Sequence, residues 1–260
     1  MPISTSLPVR GPTRLGHSGT TLAALLALPA LASGAEAPLA APAGTPVISI
    51  VQVPKPWYAP RFLVVGKMRD SIPEYRAASG LAFKAYAFER ASGAYGGLYY
   101  WRDASDAKAW FNEAWFARVR QERGVEGRVR IFAAPVSLDN VPGGTRADND
   151  SDAVATLVEM AIPEGVDAQR LVAQFEAAVP AYRKVPGLLR KHFLLTEPGS
   201  FGGLYLWQDE ASARAWFNAD WHRDVVERHG RAARIEWFDT PLLLPIAQAS
   251  QVVAQQALVP

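Results

Sequence analysis

The chain has 260 residues, with 27 Lys and Arg against 25 Asp and Glu and a formal net charge of +2. So small a charge, with no Lys/Arg-rich run, gives no field for gathering nucleic acid. Cysteine is absent, which removes disulfides, thiolate metal sites and a cysteine nucleophile together.

Residues 1–37 read as a secretory signal peptide. Arg10 and Arg14 precede a short apolar run, Leu22 to Leu31, and two Ala-x-Ala sites follow at Ala30–Ala32 and Ala35–Ala37. The run is too short for the roughly 30 Å hydrocarbon core of a bilayer. The expectation is a periplasmic or secreted protein whose mature form has no membrane span. Residues 38–45 then read as an Ala/Pro-rich linker.

A first domain is expected over 46–138. Val64, Met68 and Ile72 recur at helical spacing, as do Phe111, Trp115 and Val119. Residues 139–152 are rich in Asp, Asn and Gly around Pro142-Gly143-Gly144, which reads as a linker. A second domain is expected over 153–247. Val154 to Ala161 reads as a strand and Asp167 to Lys184 as an amphipathic helix, with Pro180 bending or ending its last turn. Leu188 to Thr196 and Gly202 to Trp207 read as two further strands. A single helix then runs from Asp209 or Ser212 to Gly230, and Arg234 to Asp239 is the last strand. Residues 248–260 form a tail without a charged side chain.

The two domains repeat one another. Ile72-Pro73-Glu74-Tyr75-Arg76 matches Val179-Pro180-Ala181-Tyr182-Arg183 at an offset of 107, from Pro73 to Pro180, and Lys84 matches Lys191 in the same register. After a one-residue loss, Gly96-Gly97-Leu98-Tyr99-Tyr100-Trp101 matches Gly202-Gly203-Leu204-Tyr205-Leu206-Trp207 at an offset of 106, from Gly96 to Gly202. Ala109-Trp110-Phe111-Asn112 matches Ala215-Trp216-Phe217-Asn218, Trp115 matches Trp221, and Pro135 matches Pro241. So many coincident tryptophans in one register mark an internal repeat. Each copy reads βαββαβ, the ferredoxin-like unit, which covers one sheet face with helices and leaves the other bare. The expected fold class is α+β: two tandem ferredoxin-like domains packing sheet to sheet, an intramolecular dimeric α/β barrel.

Gly202 to Trp207, followed by Asp209, Ser212-Ala213 and an aromatic-rich helix, resembles the YdhR-like monooxygenase family of the dimeric α/β-barrel superfamily, related to the antibiotic-biosynthesis monooxygenases. Tyr182, Pro186-Gly187-Leu188 and Lys191 fit the same pattern. The resemblance implies an oxidoreductase that uses neither metal nor flavin, with a small hydrophobic or aromatic molecule as its partner and the substrate supplying electrons to oxygen. The fused chain would be a pseudo-dimer. Trp207, Trp216, Phe217 and Asp220 are also similar to the haem-degrading branch, where a later histidine in the same helix ligates iron. His222 and His229 are the later histidines here. Neither falls at the spacing expected of that ligand, and Val154 to Ala161 lacks that branch's asparagine.

Such an oxygenase needs an apolar pocket, donors for a substrate anion and a base. The candidate catalytic residues are Asn218, His192 and Lys191. The candidate substrate-binding residues are Trp207, Trp216, Trp221, Trp101, Trp110, Asn112 and Lys84. Each has a structural alternative: core packing for the aromatics, a solvated strand position for the lysines, and helix capping for the asparagines. No metal site is expected, and haem is the one cofactor alternative. A non-catalytic binding module for a small hydrophobic ligand is the other functional reading.

Overall fold

A computed structural model describes residues 44–141, 151–162, 165–196 and 199–246. The expected signal segment, the centre of the inter-domain linker and the tail 248–260 lie outside them. The first half runs β1 (Val47–Val53), α1 (Arg61–Asp70), α2 (Ile72–Arg76), β2 (Leu81–Glu89), β3 (Tyr95–Trp101), α3 (Ala104–Trp110), α4 (Glu113–Arg123) and β4 (Arg128–Asp139). The second runs β5 (Val154–Ala161), α5 (Ala168–Tyr182), β6 (Leu188–Leu195), β7 (Ser200–Trp207), α6 (Glu210–Trp216), α7 (Ala219–His229) and β8 (Arg234–Pro245). Both halves follow the expected βαββαβ order.

The two sheets form one closed antiparallel barrel, in the order β1-β3-β2-β8-β5-β7-β6-β4. Closure is by edges as well as faces. The first part of β8 pairs with β5 of its own half, while Leu242 to Pro245 pair with β2 of the other. The first part of β4 likewise pairs with β1, while Val136 to Asp139 pair with β6. The last strand therefore runs well past the expected Asp239. The matched prolines explain the handover. Pro135 and Pro241 both sit where the pairing register shifts, positions at which a strand can carry a residue without a ladder N–H.

Strand alternation divides the core into an interior and a helix-covered exterior. Ile50, Phe83, Leu98, Leu157, Leu194 and Phe238 fill the barrel, drawn from both halves. Leu171, Phe175, Phe193, Trp207, Phe217 and Trp221 pack beneath the helices of the second half. Trp101, Phe111, Trp115 and Val119 do the same in the first.

Two helix expectations need correction. The aromatic helix of each half is two helices, because Asn112 and Asn218 restart it. The Asn112 side chain accepts from Trp115 N at 3.0 Å, and that of Asn218 accepts from Trp221 N at 2.9 Å. The first-half helix through Val64, Met68 and Ile72 is also broken, at Ser71, whereas α5 runs through Pro180 to Tyr182.

The doubled glycines have separate tasks. A Cβ on Gly96 or Gly202 would overlap the backbone carbonyl of Val51 or Val158 on the paired strand. Replacing Gly202 with Ala should therefore destabilise the protein by about 1–3 kcal/mol, as overpacking does. Gly66 in α1 has open space around its Cβ direction, and Gly66→Ala should stabilise by about 0.5–1 kcal/mol. Urea unfolding of the two variants checks both signs.

Candidate functional site

Strand parity decides which side chains reach which compartment. On β2, Phe83, Ala85 and Ala87 enter the barrel, while Tyr86 and Phe88 pack beneath α1 and α2. Lys84 shares the latter face. On β6 the same parity puts Leu194 inside the barrel and Phe193 under the helices, so Lys191 also lies on the helix side.

Both lysines are buried, at 2% and 3% exposure, and each ends in an aromatic cage. Lys84 Nζ lies 3.0 Å from the ring centroid of Tyr75, 3.8 Å from Tyr86 and 4.6 Å from Tyr99. Lys191 Nζ lies 3.3 Å from Tyr182, 4.0 Å from Phe193 and 4.4 Å from Tyr205, and donates to the Tyr205 hydroxyl at 2.9 Å. The second glycine of each pair makes room for this. A Cβ on Gly97 would press on Lys84 Cε at 3.1 Å, and one on Gly203 on Lys191 Cε at 3.3 Å. Desolvation holds both amines well below the ordinary lysine value, with Glu74 partly opposing it at Lys84. Burial also raises the phenols of Tyr75, Tyr99 and Tyr205 and pushes Tyr182 up to about 12.

The halves differ in what covers the cage. Over Lys191 the unbroken α5 brings Phe175 to 5.0 Å from Phe193, with Tyr182 edge-on to the same ring at 5.4 Å. Over Lys84 the equivalent helix is interrupted, and Met68 stands where the repeat has Phe175. A cleft of about 220 Å³ opens there, with Lys84, Tyr75, Tyr86, Tyr99, Ser71 and Glu74 in its wall. The Ser71 and Tyr86 hydroxyls lie 3.0 Å apart, and the Tyr99 hydroxyl donates to that of Tyr75 at 3.3 Å. At the rim, Arg118 pairs with Glu74 at 3.3 Å. Besides Lys84, the apolar wall includes Val51, Val64 and Trp115.

The structure does not bring the three candidate catalytic residues together. Lys191 is sealed beneath α5. His192 points the opposite way, into the barrel, where its Nδ1 lies 2.8 Å from Ser137 Oγ and its ring 4.6 Å from that of Tyr100. Burial, reinforced by Arg190, pushes His192 down to about 3. Asn218 is exposed, and both ends of its amide serve the helix junction: Oδ1 caps α7 and Nδ2 donates to Ala215 O at 3.1 Å. Asn112 repeats this, with Nδ2 donating to Ala109 O at 2.8 Å.

The tryptophans back the cages. Trp101 and Trp207 are fully buried and stack nearly parallel to Tyr99 and Tyr205 at 6.1 and 5.7 Å. Trp207 Nε1 donates to Thr156 Oγ1 at 3.1 Å. Trp110 leans on Tyr75 at 5.4 Å and Trp216 on Tyr182 at 5.5 Å. Trp115 and Trp221 meet Phe111 and Phe217 edge-on, and Trp115 also reaches the cleft. His222 lies exposed on α7, while His229 packs near Phe201 at 5.6 Å. Among the described residues no group of three or more His, Asp or Glu is arranged to hold a metal ion.

Sequence reasoning missed Tyr75, Tyr86, Tyr99, Ser71 and Glu74 as site residues. A signal was present. Tyr75 and Tyr99 repeat in register with Lys84, and Tyr86 lies two residues from it on the same strand face.

No family model matches the chain, and no curated protein matches it. Several solved structures share its fold. One, described as a putative monooxygenase from Fusobacterium nucleatum, is 10% identical with a TM-score of 0.57, over 78% of this chain and 95% of its own. Another, a putative monooxygenase from Lactobacillus acidophilus, is 8% identical with a TM-score of 0.50, over 78% of this chain and 100% of its own. A ferredoxin-fold protein from Listeria monocytogenes, described as related to antibiotic biosynthesis monooxygenases, is 9% identical with a TM-score of 0.42, over 76% of this chain and 95% of its own. The fold is thus one that this chain shares with the two structures described as putative monooxygenases, from Fusobacterium nucleatum and Lactobacillus acidophilus.

Two outcomes follow from the placements. Asn218→Ala removes an N-cap and should cost about 1 kcal/mol of stability, read from the urea midpoint. His192 is neutral in the fold down to about pH 3, whereas its ordinary value is 6.5. Between those limits the unfolded chain binds the extra proton, so stability falls as the pH drops through that window, by at most about 1.4 kcal/mol per unit from this group. Unfolding midpoints of the native chain and His192→Gln, compared between neutral and acid pH, should differ in slope. Parallel slopes would remove His192 from the account.

Proposed function

We propose that the chain is a monooxygenase-type oxidoreductase whose working site is the Lys84 cleft, acting on a small phenolic or quinol-like aromatic without metal or flavin. The observation that carries this reading is the pairing of a caged, desolvated lysine with an open cleft in the first half, against the same lysine sealed in the second. Export, as expected from residues 1–37, belongs to the same proposal.

Burial lowers the Lys84 amine well below its ordinary value, which favours the neutral form that takes a proton from a bound phenol. The ammonium that forms stays between the faces of Tyr75, Tyr86 and Tyr99, where ring quadrupoles stabilise it, and beside the phenolate. The Tyr86 and Ser71 hydroxyls supply donors to the substrate oxygen. The apolar wall of Val51, Val64 and Trp115 excludes water and holds the ring. The electron-rich phenolate is the reductant of dioxygen. One oxygen atom enters the ring as a quinone carbonyl, the other leaves as water, and the four electrons come from the phenol, so no external reductant is needed.

Oxygen consumption with a polyphenol, followed with an electrode, tests this. Lys84→Met should lower the rate by at least about a hundredfold, the scale of a lost general base, while Lys191→Met retains it. Equal rates in Lys84→Met and the native chain would refute the assignment. Quenching of tryptophan fluorescence by the same phenol, with no oxygen uptake, would instead identify a binding module.

A further inference from the structure

The exterior of the first half carries a feature that the cleft chemistry does not use. The exposed large hydrophobic residues include Trp57, Tyr58, Phe62 and Leu63, at 92%, 71%, 71% and 55% exposure, all within seven residues of chain. We propose that this segment is a lipid-docking surface, which lays the mouth of the Lys84 cleft against a bilayer.

The segment is built to hold its rings outward. Pro54, Pro56 and Pro60 restrict the chain before α1. Lys55 Nζ turns back to donate to the carbonyls of Pro56 at 3.2 Å and Ala59 at 2.9 Å, and Ala59 N donates to Pro56 O. Trp57 and Tyr58 meet edge-on at 5.8 Å. The turn is therefore ordered by its own polar groups, while its apolar ones face water.

The composition is that of a bilayer interface. Residues 54–69 contain Lys55, Arg61, Lys67 and Arg69 and no carboxylate. Tryptophan and tyrosine settle at the headgroup level, and cations beside them favour anionic lipid. The neighbouring carboxylates include Asp239, which Arg61 engages at 2.7 Å, Asp70, which Lys67 engages at 3.2 Å, and Glu122, which lines the cavity under Tyr58 and Leu63 beside Arg123. A symmetric contact with a second copy would set these cations against their own kind. The corresponding stretch of the second half, around Asp167 to Arg170, has no aromatic residue. Aromatic segment and open cleft thus occur in the same half.

The two are contiguous. A cavity of about 200 Å³ beneath Tyr58 and Leu63 shares Val64, Lys67, Tyr95 and Glu122 with the Lys84 cleft. A bilayer contacting the segment would face the route into the site, so a lipophilic ligand could enter without crossing water. The docking is independent of the oxidative reading, because partition is measured without substrate.

The test is co-sedimentation of the full chain with vesicles of phosphatidylcholine, alone or with added phosphatidylglycerol. The full chain should sediment with the vesicles, more strongly where phosphatidylglycerol is present. The double variant Trp57→Ser/Phe62→Ser should partition at least about tenfold less, since it removes two membrane-seeking rings. Both side chains are exposed, so its thermal midpoint should match the native one. A full chain that stays in the supernatant with both vesicles would overturn the proposal. So would a double variant that partitions like the native chain. Self-association that disappears in the variant, without vesicle binding by the native chain, would assign the patch to a second copy and equally overturn it.

Discussion

The structure depends on the closure of two half-sheets into one barrel. A βαββαβ sheet buries one face beneath its helices and exposes the other, together with two unpaired edges. Neither half escapes that alone. Here β4 and β8 are each long enough to serve both sheets: the first part of each strand completes its own half and the last part completes the other. The edges disappear and the two bare faces become one interior, in which Phe83, Phe132, Leu194 and Phe238 come from both halves. The Lys84 cleft lies outside that interior, between sheet and helices.

Closure also frees the halves to diverge. Arg130 and Glu236 are repeat equivalents, yet they form a bidentate pair across the molecule at 2.6 and 2.8 Å, with both side chains nearly buried. Identical copies would place like charges at these positions, so this contact favours one arrangement of two unlike halves. A second divergence lies behind the cages. Thr156 accepts from Trp207, whereas its equivalent Ser49 and the indole of Trp101 have no partner among the described residues. Behind its cage the second half is the better satisfied, and α5 runs unbroken over it. The first half is the one with the cleft.

Much of the fold was legible in the residues. The repeat register and the order of elements along the chain follow from spacing and turn composition, because strand and helix periods are local properties. The helix breaks at Ser71, Asn112 and Asn218 were harder to read. An asparagine three residues before a tryptophan on the apolar face looks like part of a continuous helix until its carbonyl is seen capping the next turn. The overrun of β8 was hidden for another reason: its last residues pair with the other half, and no local pattern reports that. At the site, Lys84 was visible from its repeat position, but the cleft beside it was not. That depends on whether one helix runs unbroken over the strand. His192 and Lys191, adjacent in sequence, were separated by strand parity, which a single bulge between Leu188 and Arg190 is enough to obscure.

The two lysine cages show what a lysine can do when it is repeated but not equally exposed. In the second half Lys191 donates to Tyr205 and fills the space under α5, so its role is architectural. A buried amine costs free energy that an apolar side chain of similar size would avoid. Its retention in both halves therefore reflects the shared packing of Gly97 and Gly203 around the lysine stem, in addition to any chemistry. In the first half the same amine borders a cleft, and the Ser71 break that opens this cleft also places a hydroxyl beside Tyr86. One interruption in one helix thus sets a cleft beside a lysine that is covered in the other copy. No residue of the cage needs to change for that except Phe193, which is Tyr86 in the open copy and there contributes the phenol that Ser71 engages.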